Sequence, residues 1–219
     1  MNLPTKEIKN RSRQFARNLL VRAEKNELQI TADLQKIASE ISAEMVGLNN
    51  KFKTIQSLTQ KLTKESIVSA KVFVDLGCPI NEAVEKSTKR QAARNNDALR
   101  YTYILSVEKY VFGFKQITEK LRQKSYEIPG NRIWNAWKNI GTAFDKGYRG
   151  INITVISSEK QKFELQFHTR ESYELKNETH SLYKLLRSGK ISPDLKIEIQ
   201  KKIVRLAQSV KIPKGVKKL

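Results

Sequence analysis

Residues 149–169 constrain the fold more than any other part of the chain. Two stretches, RGINITVIS (149–157) and KFELQFHT (162–169), lie on either side of a short polar turn formed by SSEK (157–160). The second stretch alternates apolar side chains with Glu164, Gln166 and His168. Because side chains along a strand point alternately to opposite faces, this pattern predicts a β-hairpin with one polar face. Such a face is typical of a half-buried surface strand or of the floor of a functional site.

Helical and strand patterns alternate along the rest of the chain. Apolar residues at three- and four-residue spacing over 6–46 predict two helices, the second beginning at Thr31. DALRYTYIL (97–105) is rich in aromatic and β-branched residues and predicts a strand. EMVGLNNKF (44–52) predicts another, and a Pro-Gly turn precedes a short strand within 125–141.

The C-terminal part is predicted to be mostly helical. One helix over 170–189 is closed by Gly189, another covers 192–210, and the tail from 211 onwards is expected to be loose. The combined pattern predicts an α+β fold, with a central mixed β-sheet of about five strands flanked by helices. We expect three segments: a helical N-terminal extension (1–43), a main domain (44–190), and a C-terminal helix with a basic tail (191–219).

Charge and cysteine content limit the partners and the compartment. The chain has 42 Lys and Arg against 22 Asp and Glu, a formal net charge of +20. This balance predicts attraction to phosphates. Cys78 is the single cysteine, so no intramolecular disulfide is possible and a reducing compartment is expected. Since no apolar signal or run of 18 apolar residues occurs, we expect a cytoplasmic protein, in its own or a target cell, with no membrane partner.

Two acids stand out near the ends of predicted strands and among basic residues. They are Asp97, before the strand DALRYTYIL, and Glu164, in the second strand of the hairpin. Two carboxylates brought together by a sheet can hold Mg²⁺, or one of them can act as a general base. A surface ion pair is the alternative for each. The sequence contains no GxxxxGK[ST], HExxH or cysteine cluster, which argues against P-loop and zinc chemistry.

Two further segments predict phosphate or base contacts. KFKTIQSLTQK carries Lys51, Lys53 and Lys61 around a helix start at Thr54, where backbone N–H groups can hold a phosphate. KGYRG offers the Tyr148 ring between two glycines, and also contains Lys146 and Arg149 for phosphate. Solvated charge is the alternative for both segments.

In this order, the motifs resemble the synthetase domain of the RelA/SpoT-like family. They are KFKTIQSLTQK, DALRY, KGYRGIN, FELQFHT and THSLYK, and the resemblance covers about residues 44–187. Members transfer the β,γ-pyrophosphate of ATP to a ribose hydroxyl of a second nucleotide, with Mg²⁺. The resemblance implies ATP as donor and products of the (p)ppGpp or (p)ppApp type, or a modified tRNA 3′ end.

The resemblance also assigns roles to individual residues. It implies that Asp97 and Glu164 are catalytic and hold the metal. The residues that bind ATP phosphates would be Lys51, Lys53, Ser57, Lys61 and Arg100. Tyr148 would stack on the acceptor base, and the remaining acceptor-binding residues would be Lys146, Arg149, Asn152, Gln166 and His168.

Several positions depart from the family pattern. Lys51 stands where arginine is usual, DALR is shorter than DxxGxR, and Gly150 and Asn152 replace a serine and a histidine. These changes are closer to the toxin-like branches, which implies a growth-inhibiting toxin or effector with an antitoxin or immunity protein as partner. The alternative function is a non-catalytic RNA-binding module on the same fold. The helices before residue 44 are interpreted as packing elements, or else as a docking element for such a partner.

Overall fold

The computed structural model describes residues 3–138, 147–188 and 191–219. Seven α-helices lie in these ranges, and their bounds follow in chain order. They are α1 Thr5–Glu40, α2 Ile55–Asp75, α3 Ile80–Arg94, α4 Tyr110–Gln123, α5 Arg170–Glu178, α6 His180–Ser188 and α7 Pro193–Gln208. Within the described ranges, every helix is too short or too polar to cross a bilayer.

Five strands of the described residues form one mixed sheet, which confirms the predicted α+β class. They are β1 Glu44–Val46, β2 Arg100–Ile104, β3 Ile133–Asn135, β4 Ile151–Ile156 and β5 Lys162–His168, in the spatial order β1-β2-β5-β4-β3. The pairs β1–β2 and β3–β4 are antiparallel. β2 and β5 run in the same direction, since Leu99 bonds Glu164 and Leu105 bonds His168 through the backbone.

The predicted hairpin is confirmed as β4 and β5. Its turn closes with the backbone N–H of Ser157 donating to the Gln161 carbonyl at 2.9 Å. Lys160 takes a left-handed conformation there, with φ of 57°. This backbone geometry reverses the chain within four residues, which fixes the register of β5 against β4.

Residue contacts divide the chain into two compact units. The first unit comprises Met1–Asp33, Gly47–Arg100 and Val155–Glu164, and the second comprises Leu34–Val46, Tyr101–Thr154 and Leu165–Leu219. A cluster of buried residues in the first unit joins α1, α2 and the segment just before β2; its members are Ala16, Leu58, Leu62 and Ala98. The three-segment division predicted from the sequence stays a prediction.

The second unit has an aromatic core. Phe167 packs edge-on against Phe114, with ring centroids 4.9 Å apart, and lies 5.9 Å from Tyr103. Tyr110 and Trp137 form another edge-on pair at 5.6 Å, and both are fully buried. These contacts, worth about 0.5–1.5 kcal/mol each beyond area burial, support the strands that carry the polar residues of this unit.

The prediction of two N-terminal helices was wrong, because Thr5–Glu40 is one helix of 36 residues. Thr31 was taken as a helix start, but its hydroxyl donates to Glu27 Oε1 one turn earlier, at 2.6 Å. No proline or glycine lies between residues 5 and 40 to break the helix. A threonine in a helix interior can satisfy its hydroxyl locally, so it need not end the helix.

Two C-terminal predictions also need correction. The expected single helix over 170–189 ends at Glu178 and restarts at His180, with Thr179 between them, and its expected stop at Gly189 lies outside the described residues. The tail is not loose: the Val216 side chain is fully buried, and its carbonyl accepts a hydrogen bond from Asn135 Nδ2 at 2.8 Å. One buried proline, Pro213, and one buried valine among exposed lysines give too weak a pattern to predict docking.

Candidate active site

The backbone around residues 51–53 and 98–100 positions the first acid. Phe52 and Leu99 form an antiparallel bridge. On either side, Lys53 N–H donates to the Ala98 carbonyl at 3.0 Å, and Arg100 N–H donates to the Lys51 carbonyl at 2.8 Å. The short pairing therefore brings Lys53 beside Asp97, which lies three residues before β2.

Three cations surround Asp97. Lys53 Nζ lies 2.5 Å and Lys61 Nζ 3.0 Å from the same oxygen, Oδ2, and Arg100 Nη2 lies 3.5 Å from it. Asp97 is 5% exposed. Lys61 reaches the cluster from the second turn of α2, which begins after the Thr54 cap. The arrangement concentrates positive charge around one buried carboxylate.

The electrostatics of Asp97 follow from these partners. Burial alone raises its pKa, but the charges and hydrogen bonds of Lys61 and Lys53 outweigh burial and hold the pKa well below its usual value. Burial lowers the pKa of Lys53, while Asp97 opposes that shift. The carboxylate is therefore ionised at any physiological pH.

Arg100 links the two acids that the sequence singled out. Its Nε donates to Glu164 Oε2 at 2.5 Å, while Nη2 faces Asp97. Glu164 is placed by β5, where its N–H donates to the Leu99 carbonyl at 3.0 Å. The sequence alone did not show that one guanidinium bridges both carboxylates.

Asn95 is a positioning residue that the sequence analysis missed. Its Nδ2 donates to Asp97 Oδ1 at 2.8 Å, and its Oδ1 accepts from Ala98 N–H at 3.2 Å. It is 6% exposed and follows the last residue of α3. The signal was the Asn-Asn-Asp run after the helix, a composition typical of side-chain-to-backbone turns.

Two predicted phosphate-binding residues lie apart from Asp97. Lys51 Nζ pairs with Glu27 Oε1 on α1 at 2.9 Å. Ser57 is exposed in the first turn of α2, and its N–H donates to the Thr54 hydroxyl at 3.2 Å. Lys51 and Ser57 therefore do not join the cation cluster around Asp97, and their roles stay predictions.

In the second unit, Tyr148 is held by three neighbouring side chains. Its hydroxyl donates to Asn152 Oδ1 at 2.7 Å and lies 3.0 Å from His168 Nε2. Its ring stacks on Trp134, with centroids 5.0 Å apart and planes 18° apart. Trp134 was not predicted from the sequence, because a three-residue strand is too short to show which of its side chains meets a partner.

His168 is fully buried, so it acts on any ligand through its neighbours. Its Nδ1 lies 3.0 Å from Ser172 Oγ, opposite the contact to Tyr148. Burial and then the nearby Lys176 charge lower its pKa well below the usual value. The ring is therefore neutral at pH 7, and it fixes the Tyr148 hydroxyl without adding charge.

The other predicted acceptor residues are largely enclosed. Gln166 is 4% exposed, and its Oε1 accepts from Lys176 Nζ at 2.7 Å. Arg149 is 3% exposed, and its Nη1 donates to the Tyr148 carbonyl at 2.9 Å. Lys146 lies outside the described residues. The polar face of β5 is therefore covered by other residues at its C-terminal end. It is not the solvent-exposed face of a half-buried surface strand at these positions.

The oxygen donors fit a magnesium ion that is shared with phosphates. Within residues 3–138, 147–188 and 191–219, no group of three or more acidic, histidine or cysteine side chains is placed to hold a metal. Mg²⁺ bound to nucleotides commonly takes one or two carboxylates and fills its remaining positions with phosphate oxygens and water. Asp97 and Glu164, linked by Arg100, supply such a set.

The fold is similar to those of small alarmone synthetases of known structure. The small alarmone synthetase 2 from Bacillus subtilis is similar, with a TM-score of 0.55 at 14% identity over 88% of this chain and 91% of that chain. The small alarmone synthetase 1 from Bacillus subtilis gives 0.52 at 15% identity, over 88% and 90%. smu.1046c from Streptococcus mutans UA159 gives 0.50 at 18% identity, over 87% and 88%.

These likenesses confirm the fold that the RelA/SpoT resemblance implied. No protein-family model matches the sequence, and a comparison with curated proteins finds no match. Three of the five motifs that carry the resemblance, at residues 51–61, 97–101 and 163–169, contain the acids and cations of the cluster in the first unit.

Proposed function

We propose that the protein is a Mg²⁺-dependent pyrophosphokinase that transfers the β,γ-pyrophosphate of ATP to a ribose hydroxyl of a nucleotide acceptor. The observation that carries the proposal is the pairing of Asp97 with Lys53 and Lys61 beside the Arg100–Glu164 pair. Phosphoryl-type transfer needs positioned cations around spread oxygen charge and few other groups. Two lysines on one buried carboxylate oxygen, beside an arginine and a second acid, supply such positioned cations.

On the donor side, the lysines would exchange partners when ATP binds. Lys53 and Lys61 neutralise Asp97 in the free protein and would turn to the ATP phosphates, leaving Asp97 oxygens for Mg²⁺. When bound, the metal would neutralise charge on the phosphate oxygens. This exchange keeps a buried carboxylate and two lysines paired in either state, which avoids the cost of an unpaired buried charge.

The reaction balances as one in-line displacement. The acceptor hydroxyl oxygen forms a bond to the β-phosphorus of ATP, the bond from that phosphorus to the α,β-bridging oxygen breaks, and AMP leaves. Glu164 would take the proton of the attacking hydroxyl. Arg100, between Glu164 and Asp97, would stabilise the charge that develops on the pyrophosphoryl group.

The acceptor belongs to one of three classes. Guanine nucleotides would give (p)ppGpp, adenine nucleotides (p)ppApp, and a tRNA 3′ end a pyrophosphorylated RNA. The net charge of +20 is compatible with each class. It would attract an RNA, with its many phosphates, more strongly than a free nucleotide. A growth-inhibiting role, with an antitoxin or immunity protein as partner, follows from the departures of Gly150 and Asn152 from the family pattern.

The test is label transfer from γ-labelled ATP with Mg²⁺ to GDP or GTP, ADP or ATP, and bulk tRNA in separate reactions. Asp97→Asn and Glu164→Gln proteins run beside the unmodified chain, with circular dichroism to check folding. Glu85→Gln is the matched control, since Glu85 forms an exposed ion pair with Lys89 on α3 of the same unit.

Label on one acceptor class, lost in both site variants and kept in Glu85→Gln, would support the reaction and name its substrate. Absence of label with every acceptor, from folded protein, would refute the proposal. If RNA binding that weakens with salt then persisted in both acid variants, the non-catalytic RNA-binding function would replace it.

A further inference from the structure

Trp134 is a large aromatic side chain at the edge of the sheet. It lies on β3, the terminal strand in the sheet order, and 46% of its surface is exposed. Trp137, three residues later, is fully buried. Exposure of one indole is common by itself; the difference here is that Trp134 lies nearly parallel to a second aromatic ring, that of Tyr148.

The ring behind Trp134 is held in one orientation. Asn152 faces Trp134 across the β3–β4 pairing and accepts the hydrogen bond of the Tyr148 hydroxyl. His168 contacts the same hydroxyl and is itself fixed by Ser172. Trp134, Asn152, Tyr148 and His168 therefore form one connected set, which we name the aromatic stack.

Gly150 makes this arrangement possible. A Cβ atom at position 150 would lie 2.9 Å from His168 Cε1 and 2.9 Å from the Phe167 carbonyl oxygen. Any larger residue would displace the imidazole or the strand. The aromatic stack therefore extends from the buried His168 to Trp134, which is its exposed end.

We propose that the exposed face of Trp134 binds the base of the nucleotide acceptor by stacking, with Tyr148 supporting the indole from behind. That the ligand is the acceptor of the reaction rests on the proposed function; the stacking surface itself does not depend on it. A rigid aromatic face binds a planar ring with little loss of conformational entropy. Stacking on aromatic side chains is the general way in which proteins hold unpaired bases.

The charge beside Trp134 favours a ligand that carries phosphate. Arg132 and Lys138 are exposed, two residues before and four residues after it. No acidic residue occurs from 130 to 138. A purine overlaps an indole more than a pyrimidine does, so we expect purine nucleotides to bind more tightly. A free nucleotide and an unpaired base of RNA offer this same chemistry.

Tryptophan fluorescence tests the proposal without any turnover. The chain has two tryptophans, and the buried Trp137 donates Nε1–H to the Tyr110 hydroxyl at 3.1 Å. Quenching by a base therefore reports on Trp134. GDP, ADP, CDP and a short single-stranded RNA are titrated separately into the full chain in the absence of ATP. We expect saturable quenching, stronger with purines, that disappears in Trp134→Phe.

Calorimetry and kinetics give the second measurement. Trp134→Ala should weaken acceptor binding about 5- to 100-fold. It should raise the acceptor KM by a similar factor and leave kcat and the ATP KM unchanged, because stacking holds ground state and transition state equally. Ile133→Ala is the matched control, since Ile133 is the partly exposed neighbour on β3.

The outcomes separate this inference from the proposed function. Label transfer with an unchanged acceptor KM in Trp134→Ala would overturn the stacking inference and leave the pyrophosphokinase standing. Saturable quenching without label transfer would support the stacking surface and count against the reaction. No quenching by any probe at millimolar concentration would overturn the inference. Quenching by RNA at far lower concentration than by GDP or ADP would identify an RNA base as the ligand.

Discussion

Removal of the Asp97 charge is expected to destabilise the protein as well as to inactivate it. The cluster holds three cations, Lys53, Lys61 and Arg100, against the two carboxylates of Asp97 and Glu164. Asp97→Asn leaves three cations against one carboxylate. Many catalytic acids lie in sites where their removal stabilises the fold, so the sign of this effect tests the electrostatic reasoning directly.

The magnitude follows from burial of the partners. Loss of one partner from a fully buried ion pair costs about 3–5 kcal/mol. The Lys61 side chain is 33% exposed and that of Lys53 18%, so solvent can replace part of the lost interaction. We therefore expect a loss of about 2–3 kcal/mol in the free energy of unfolding, or about 4–12 °C in Tm for a chain of this size.

The pH dependence gives the second part of the same prediction. The folded-state pKa of Asp97 lies below the usual value of 3.8. Its contribution is therefore complete above about pH 4 and is lost as pH falls below that value. Urea unfolding followed by circular dichroism should show a gap between wild type and Asp97→Asn at pH 7 that narrows by pH 3. A variant as stable as wild type at pH 7, or more stable, would refute this account.

Three further substitutions test other parts of the structure. Gly150→Ala should cost about 1–3 kcal/mol through overpacking against His168, measured by thermal unfolding; an unchanged Tm would contradict the packing. Because the pKa of His168 is lowered in the folded state, wild type should lose stability as pH falls below about 6.5. His168→Gln should lack this loss of stability, and His180→Gln, at an exposed position, should keep it. Val216→Asp should lower Tm by several degrees and Lys217→Asp should not; equal effects would argue against a docked tail.

The strands could be predicted because their signals are local. Alternation in β5 and the aromatic content of β2 depend only on neighbouring residues, so both strands lie where the sequence placed them. Helix ends were harder to predict. Thr31 continues α1 although threonine is a common cap, while Thr179 separates α5 from α6 with its side chain bonded to the Leu175 carbonyl. The same residue type has opposite effects, and tertiary packing decides between them.

The site was predictable where spacing along the chain determines contact. The Phe52–Leu99 bridge places Lys53 beside Asp97, and Lys61 follows in the second turn of α2, which begins just after that bridge. Lys51 instead pairs with Glu27, which lies on a different helix and 24 positions earlier. Trp134 stacks on a residue 14 positions later. The residues next to Lys51 and Trp134 in the sequence do not indicate these partners, because the partners meet only through strand order and helix packing.

Arg100 holds Asp97 and Glu164, which are far apart in the sequence, in one cluster. Its geometry suits both contacts: Nε donates to Glu164 while Nη2 faces Asp97, and the planar guanidinium carries charged donors on both of these edges. The same residue begins β2, where its N–H bonds the Lys51 carbonyl and fixes the lysine segment in register. One position therefore couples strand register to charge placement. The motif DALR therefore contains both an acid of the site, Asp97, and the arginine that links it to Glu164 and to the lysine segment.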